Sequence, residues 1–188
     1  VKDGGTIQIG IGALGDAIAA GLHLRQNDNE GYRRIIHRIG SMDRYGDLIK
    51  KCGSLEPFEK GLYGSSEMFV DAFMQLYKAG ILKRKVFDSV PIMKLMNEGK
   101  LEADHIPSNI LELLLEEEGI HERLRRKDFD FLTEFGILKK GLKYEHGHII
   151  DGTTKYAVDL SEKKNLKELK KLLGTKLNGG KVILGAFF

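Results

Sequence analysis

The chain has 188 residues, a formal net charge of +3 and a hydrophobic share of 41%. That is the size of one domain, long enough to bury about 70% of its unfolded surface, and its charge is too slight to argue for nucleic acid. A single cysteine, Cys52, excludes an intrachain disulfide framework and a cysteine zinc cluster, so a reducing, cytoplasmic setting is expected. No apolar run approaches the roughly 20 residues of a membrane-spanning helix, and no signal-peptide pattern opens the chain.

In chain order, Ile7-Gln8-Ile9 reads as a strand entering a turn with glycines at 10, 12 and 15. A helix is predicted from Ala13 to about Arg25, with Leu14, Ala17, Ile18, Gly21 and Leu22 on its inner stripe. A second, from about Asn29 to Ile39, sets Tyr32, Ile35, Ile36 and Ile39 against Arg33, Arg34 and Arg38. The glycine-rich region 40–64, with Pro57, reads as a loop. Ser65 or Ser66 is then the expected N-cap of a helix over "EMFVDAFMQLYKAG", with Phe69, Ala72, Phe73, Leu76 and Tyr77 inside and Gly80 ending it.

"ILKRKVF" has the pattern of a strand. Helices follow at Val90–Asn97, Ser108–Glu118 and Glu122–Phe135, the last burying Leu124, Phe131, Leu132 and Phe135. From Leu138 to Asp159 short alternating runs are split by Gly147 and Asp151-Gly152, which is hairpin chemistry. Ser161 is the expected cap of a helix with Leu166, Leu169, Leu172 and Leu173 facing in, and Gly174 stops it. "GKVILGAFF" reads as a final buried strand. Strands alternating with helices predict an α/β fold, a mostly parallel sheet flanked by helices, with a small hairpin insertion in one domain spanning 1–188. The basic clusters Lys83–Lys85, Arg123–Lys127 and Lys163–Lys171 are mostly broken up by acids and read as solvated faces, with help in holding an anionic cofactor as the alternative reading.

Gly10, Gly12 and Gly15 meet the first half of a dinucleotide fingerprint. The second half, an acid-terminated strand about 20 residues on, is missing: after Arg25 comes "QNDNEGYRRIIHRIG", a polar break and a helical pattern. NAD binding by an oxidoreductase is thereby disfavoured but stays an alternative. Two other readings remain for the turn. Its glycines let the helix pack close on the strand, or its free backbone N–H groups hold a phosphate or a developing oxyanion at a helix N-terminus.

"DGGTIQIGIGALGDAIAAGL" resembles the opening of the second domain of the acetyl-CoA hydrolase/transferase family, through Asp3, Gly4, Thr6, Gln8, Gly10, Gly12, Asp16 and Ala17. "GLYGSSEMFVDAF" resembles a second family motif through Gly61, Leu62, Ser66, Glu67, Met68, Phe69 and Asp71. The family's His in that motif is displaced here by Tyr63-Gly64-Ser65. The resemblance implies a CoA-transferase-like domain acting on a short-chain acyl-CoA through a glutamyl-CoA thioester, with a carboxylate or water as acceptor. Coenzyme A is then substrate rather than a covalently bound cofactor, no metal is required, and homo-oligomerisation is left open.

In relatives the nucleophilic glutamate sits in a strand motif like S-x-x-E-V-D-L-x-G, whereas "KYAVDLSEK" has Ala157 in its place. The nucleophile is therefore expected beyond Phe188. The opening at Val1 and the apolar run up to Phe188 likewise read as the first part of the C-terminal domain of a longer polypeptide, a piece inactive by itself. The residues expected to face the acyl-CoA are Gly10, Gly12, Ala13, Glu67 and Met68. The competing readings are Glu67 as a first-turn acid favoured by the helix dipole, Ser65 and Ser66 as caps, and His146 and His148 as a hairpin pair without a ligand role. A non-catalytic CoA-binding regulatory module is the alternative from a different class.

Overall fold

The computed structural model describes residues 1–187, with the side chains of Glu67, Ala186 and Phe187 outside the description. Eight α-helices and two three-stranded sheets are present among the described residues. The chain divides into two compact units: Val1–Val86 with the segment from Lys181 onward, and Phe87–Gly180.

The first unit is built on a parallel sheet of β1 (Thr6–Gln8), β2 (Tyr63–Met68) and β6 (Ile183–Phe187), in the order β1-β2-β6. Alternation decides the faces. Ile7 and Ile9 are buried whereas Thr6 and Gln8 are exposed. On the apolar face pack α1 (Ala13–Asn27) and α4 (Asp71–Lys78), with Ala19, Leu22, Ala72, Phe73 and Leu76 in one core with Ile7, Ile9, Phe58, Leu62, Ile81 and Leu82.

Five sequence expectations change here, the first being that Phe69 and Tyr77, expected inside, are 40% and 59% exposed. The inner stripe of α1 is Gly15, Ala19, Leu22 and Arg25, not the one centred on Leu14 and Ile18, which are 76% and 39% exposed. The stripe is set by close approach: a Cβ on Gly15 would stand 2.5 Å from the Gly10 carbonyl oxygen, so the smallest residue faces the sheet. Arg25 is buried because its Nε donates to the Glu56 carbonyl and its Nη1 to that of Val1, each at 2.6 Å, with its guanidinium 4.0 Å over the Phe58 ring. Region 40–64 is not all loop. After α2 (Asn29–Arg38), capped by the Asp28 side chain on the Gly31 amide, comes α3 (Ser41–Cys52), whose flanking glycines act as caps, Gly40 at φ 69° and Gly53 extended. Residues 63–68 form a strand, so Ser65 and Ser66 are strand residues, not caps, and Glu67 precedes α4 by a loop rather than lying in its first turn. "ILKRKVF" makes two single bridges, Leu62 with Leu82 and Val86 with Lys181, instead of a ladder.

The second unit carries the larger continuous core, which includes Ile92, Leu95, Ile110, Leu111, Leu114, Leu132, Ile137, Ile149 and Leu172. Helices α5 (Val90–Asn97), α6 (Ile110–Glu116), α7 (Arg126–Glu134) and α8 (Lys163–Leu169) supply most of it. Ser89 accepts from the Ile92 amide at 3.4 Å to start α5, and Asp128, accepting from the Arg125 amide at 2.8 Å, closes the first turn of α7. The expected hairpin region is an antiparallel sheet of β3 (Lys143–Glu145), β4 (His148–Asp151) and β5 (Thr154–Ala157), with Gly147 and Gly152 in the turns at φ 73° and 59°. Ser161 does not cap α8: its hydroxyl donates to Asp159 at 2.6 Å.

Candidate functional site

The carboxyl ends of parallel strands, where helices begin, are the usual ligand edge of an open α/β sheet. In this chain that edge belongs to the first unit. β1 delivers the turn Gly10–Ile11–Gly12 into the N-terminus of α1, and β2 delivers Glu67 and Met68 beside it. The strands are in register as Thr6–Tyr63, Ile7–Gly64 and Gln8–Ser65; two residues past the last pair the chains reach Gly10 and Glu67. The sequence-expected residues are thus brought to one edge from two segments more than fifty positions apart.

The three turn glycines have different tasks. Gly15 is the packing glycine, closed in by the Gly10 oxygen and by Ile9 Cγ2, which a Cβ would meet at 2.5 and 2.9 Å. Gly10 and Gly12 are exposed, and a Cβ on either would meet nothing within 4 Å. Gly12 needs to be glycine for a different reason: its φ of 122° is one that L side chains rarely adopt. Gly12 is also the N-cap of α1, and no side chain caps the helix there. The amides of Ala13 and Leu14 have no intrahelical acceptor, meet no side-chain acceptor among the described residues, and lie in an exposed stretch, whereas Gly15 is buried. Ile11 and Leu14 flank them at 74% and 76% exposure, an apolar rim around a polar N–H cluster.

On β2, Ser66 is buried and its hydroxyl donates to the Met68 carbonyl, which pins the strand end. Met68 is 49% exposed and pairs in register with Phe187 of β6. The role expected of the Glu67 carboxylate falls on a side chain outside the description.

Asp3, the first motif residue, holds the fold. Asp3 accepts from the Gly4 and Gly61 amides through one oxygen, at 3.0 and 2.9 Å, and from the Glu59 and Lys60 amides through the other, at 3.0 and 2.9 Å. Burial alone would raise this carboxyl, but these backbone donors together hold it below the ordinary carboxylate value. Asp16 lines a hollow of about 430 Å³ between α1 and α4, with Ala19, His23, Asp71 and Gln75. Among the described residues no group of three His, Cys, Asp or Glu is placed to hold a metal ion. His148 Nδ1 lies 3.1 Å from the His146 carbonyl oxygen. Cys52 is exposed at the end of α3. Among the described residues no helix is long and apolar enough to cross a membrane.

No family model, no curated protein and no solved structure matches this chain.

Proposed function

We propose that this chain is part of an acyl-CoA hydrolase or CoA-transferase, and that the Gly10–Ala13 turn receives the thioester of a short-chain acyl-CoA. The observation that carries the reading is the row of uncapped, exposed amides at the carboxyl edge of β1, next to the end of β2. Such donors are suited to a carbonyl oxygen that gains charge in the transition state, where a single fixed donor is worth about 3 kcal/mol. Met68, Ile11 and Leu14 give the apolar surface that a pantetheine arm and a short acyl chain need. The nucleophilic glutamate is placed outside residues 1–188, because Ala157 stands where the family motif would have it.

Carboxylate attack on the thioester gives an acyl-glutamyl anhydride and CoA thiolate. The thiolate then attacks the glutamyl carbonyl, releasing the acid and leaving a glutamyl-CoA thioester, which passes CoA to an acceptor carboxylate or is opened by water. This chain contributes binding and oxyanion stabilisation to those steps.

Titration calorimetry with CoA, acetyl-CoA and NAD tests the reading. Saturable heats for CoA and acetyl-CoA, and none for NAD, are expected. A full-length protein that ignores CoA, or that binds NAD, contradicts it. Borohydride trapping during turnover, followed by peptide mapping, is expected to mark a glutamate outside residues 1–188; a mark on Glu67 would relocate the nucleophile.

A further inference from the structure

The parallel sheet has two unlike faces. One is apolar and tightly covered: a Cβ on Gly64 would stand 3.0 Å from the Phe73 ring of α4. The other presents Thr6 beside Tyr63, then Gln8 beside Ser65, with Leu184 next in register to Ser65. Thr6 and Gln8 are exposed, Tyr63 and Ser65 half-buried, and Leu184 is 54% exposed. Strands of parallel sheets normally read as apolar on both faces because both are packed. Here the second face carries two hydroxyls, an amide and a phenol in two adjacent rows.

Arg84 reaches over this face. Its backbone N–H donates to the Leu62 carbonyl at 3.3 Å, which fixes the segment alongside the start of β2. Its half-buried guanidinium places Nη1 3.4 Å from Thr6 Oγ1. Among the described residues that hydroxyl is the one side-chain acceptor the guanidinium meets, and no described carboxylate forms an ion pair with it. A guanidinium has five N–H donors in a planar fork suited to phosphate and carboxylate oxygens. Its charge also acts on the row beneath: burial pushes the Tyr63 hydroxyl above its ordinary value, and Arg84 draws it part of the way back.

The distance to the turn decides what anion fits. Thr6 and Gly10 are four residues apart on an extended chain, about 13 Å at roughly 3.3 Å per residue. A carboxylate held at Arg84 is therefore too far from the turn to react there. A substrate whose anionic end is remote from its reacting carbonyl spans the gap. We propose that the Thr6–Gln8–Tyr63–Ser65 face, with Arg84 over it, is a phosphate-binding bed that anchors the nucleotide end of coenzyme A while the thioester lies at the Gly10–Ala13 turn. The proposal rests on the acyl-CoA reading for the identity of the ligand, and on the sheet face alone for its phosphate chemistry.

Calorimetric titration of the protein and of Arg84→Gln and Arg84→Lys with CoA, pantetheine and ADP tests it, with thermal melts to show that each variant is folded. Arg84→Gln is expected to weaken CoA by about tenfold or more, as befits loss of a charge-assisted hydrogen-bonding group, and to leave pantetheine binding unmoved. Arg84→Lys, which keeps the charge without the fork, falls between. Unchanged CoA affinity in folded Arg84→Gln overturns the anchor while leaving the acyl-CoA reading in place. Arg84-dependent ADP binding by a protein that binds neither CoA nor pantetheine supports the bed and overturns the acyl-CoA reading. Absence of binding to all three ligands overturns both.

Discussion

The two ends of β1 resemble one another in sequence and differ in what their polar groups are doing. At the amino end, Asp3 gathers four backbone amides from two segments, and both of its oxygens are used. At the carboxyl end, the amides beginning α1 meet no capping side chain among the described residues, and Gly10 and Gly12 before them leave open space where side chains would stand. Both ends belong to one short motif, "DGGTIQIGIG", so the motif divides into a part that closes a loop and a part that stays open. The closed end is fixed by a carboxylate within the chain, whereas the open end keeps its first helical amides in an exposed stretch.

The contrast can be broken most forcefully at the saturated end. Asp3→Ala leaves four amides without their acceptor, and a loss of about 2–3 kcal/mol is expected in chemical denaturation, within the range for hydrogen bonds to a charged group. A loss under about 0.5 kcal/mol, as for an ordinary surface site, would mean that water replaces the carboxylate freely. Next in size is Gly15→Ala, where the added methyl meets the Gly10 oxygen at 2.5 Å. Backbone must move, so about 1–3 kcal/mol of destabilisation is expected, together with weaker CoA binding because the displaced oxygen belongs to the turn itself.

The acid limb sharpens the same comparison. Asp3 titrates below an ordinary carboxyl in the folded state because the amides favour its charged form. Its contribution is therefore complete above the unfolded carboxylate value, near pH 4, and is lost as pH falls through the depressed folded value. Asp3→Asn is expected to flatten the fall in stability on acidification below about pH 4 relative to the parent. An unchanged acid limb would remove Asp3 from the account.

The smallest effect on stability is expected at the open end. Gly10→Ala adds a methyl that meets nothing, so its melting temperature should match the parent's while affinity for CoA falls. A stability loss comparable to that of Gly15→Ala would show that Gly10 serves packing as well.

Much of the architecture was legible where a local signal and the tertiary environment agree. The helix over Val90–Asn97 has Ser89 as its cap and Pro91 in its first turn, and the structure gives the same bounds. Gly147 and Asp151-Gly152 marked the turns of the antiparallel sheet because the two glycines take the left-handed backbone that those turns require. Glycine misled the reading elsewhere. Gly40, Gly46 and Gly53 suggested a loop, yet the outer two only cap α3 and its interior absorbs Gly46. In α1 periodicity favoured the largest apolar side chains for the core, but close approach to the sheet selected Gly15, Ala19 and Leu22, and left Leu14 and Ile18 at the surface.

At the candidate site, the sequence placed Gly10, Gly12, Ala13, Glu67 and Met68 together through the resemblance of two motifs, and the parallel pairing of β1 with β2 brings their backbones to one edge. Arg84 was visible only as the middle of a basic triplet. Its position over a polar sheet face follows from the bridge of Leu82 with Leu62, a contact across twenty residues that no local pattern encodes.

Backbone amide chemical shifts read during titration with CoA test the central claim most directly. The account predicts that Gly12, Ala13 and Leu14 shift and saturate with the ligand, while Gly4 and Gly61, held by Asp3, stay where they are. Saturable CoA binding that leaves the turn amides unmoved would contradict it.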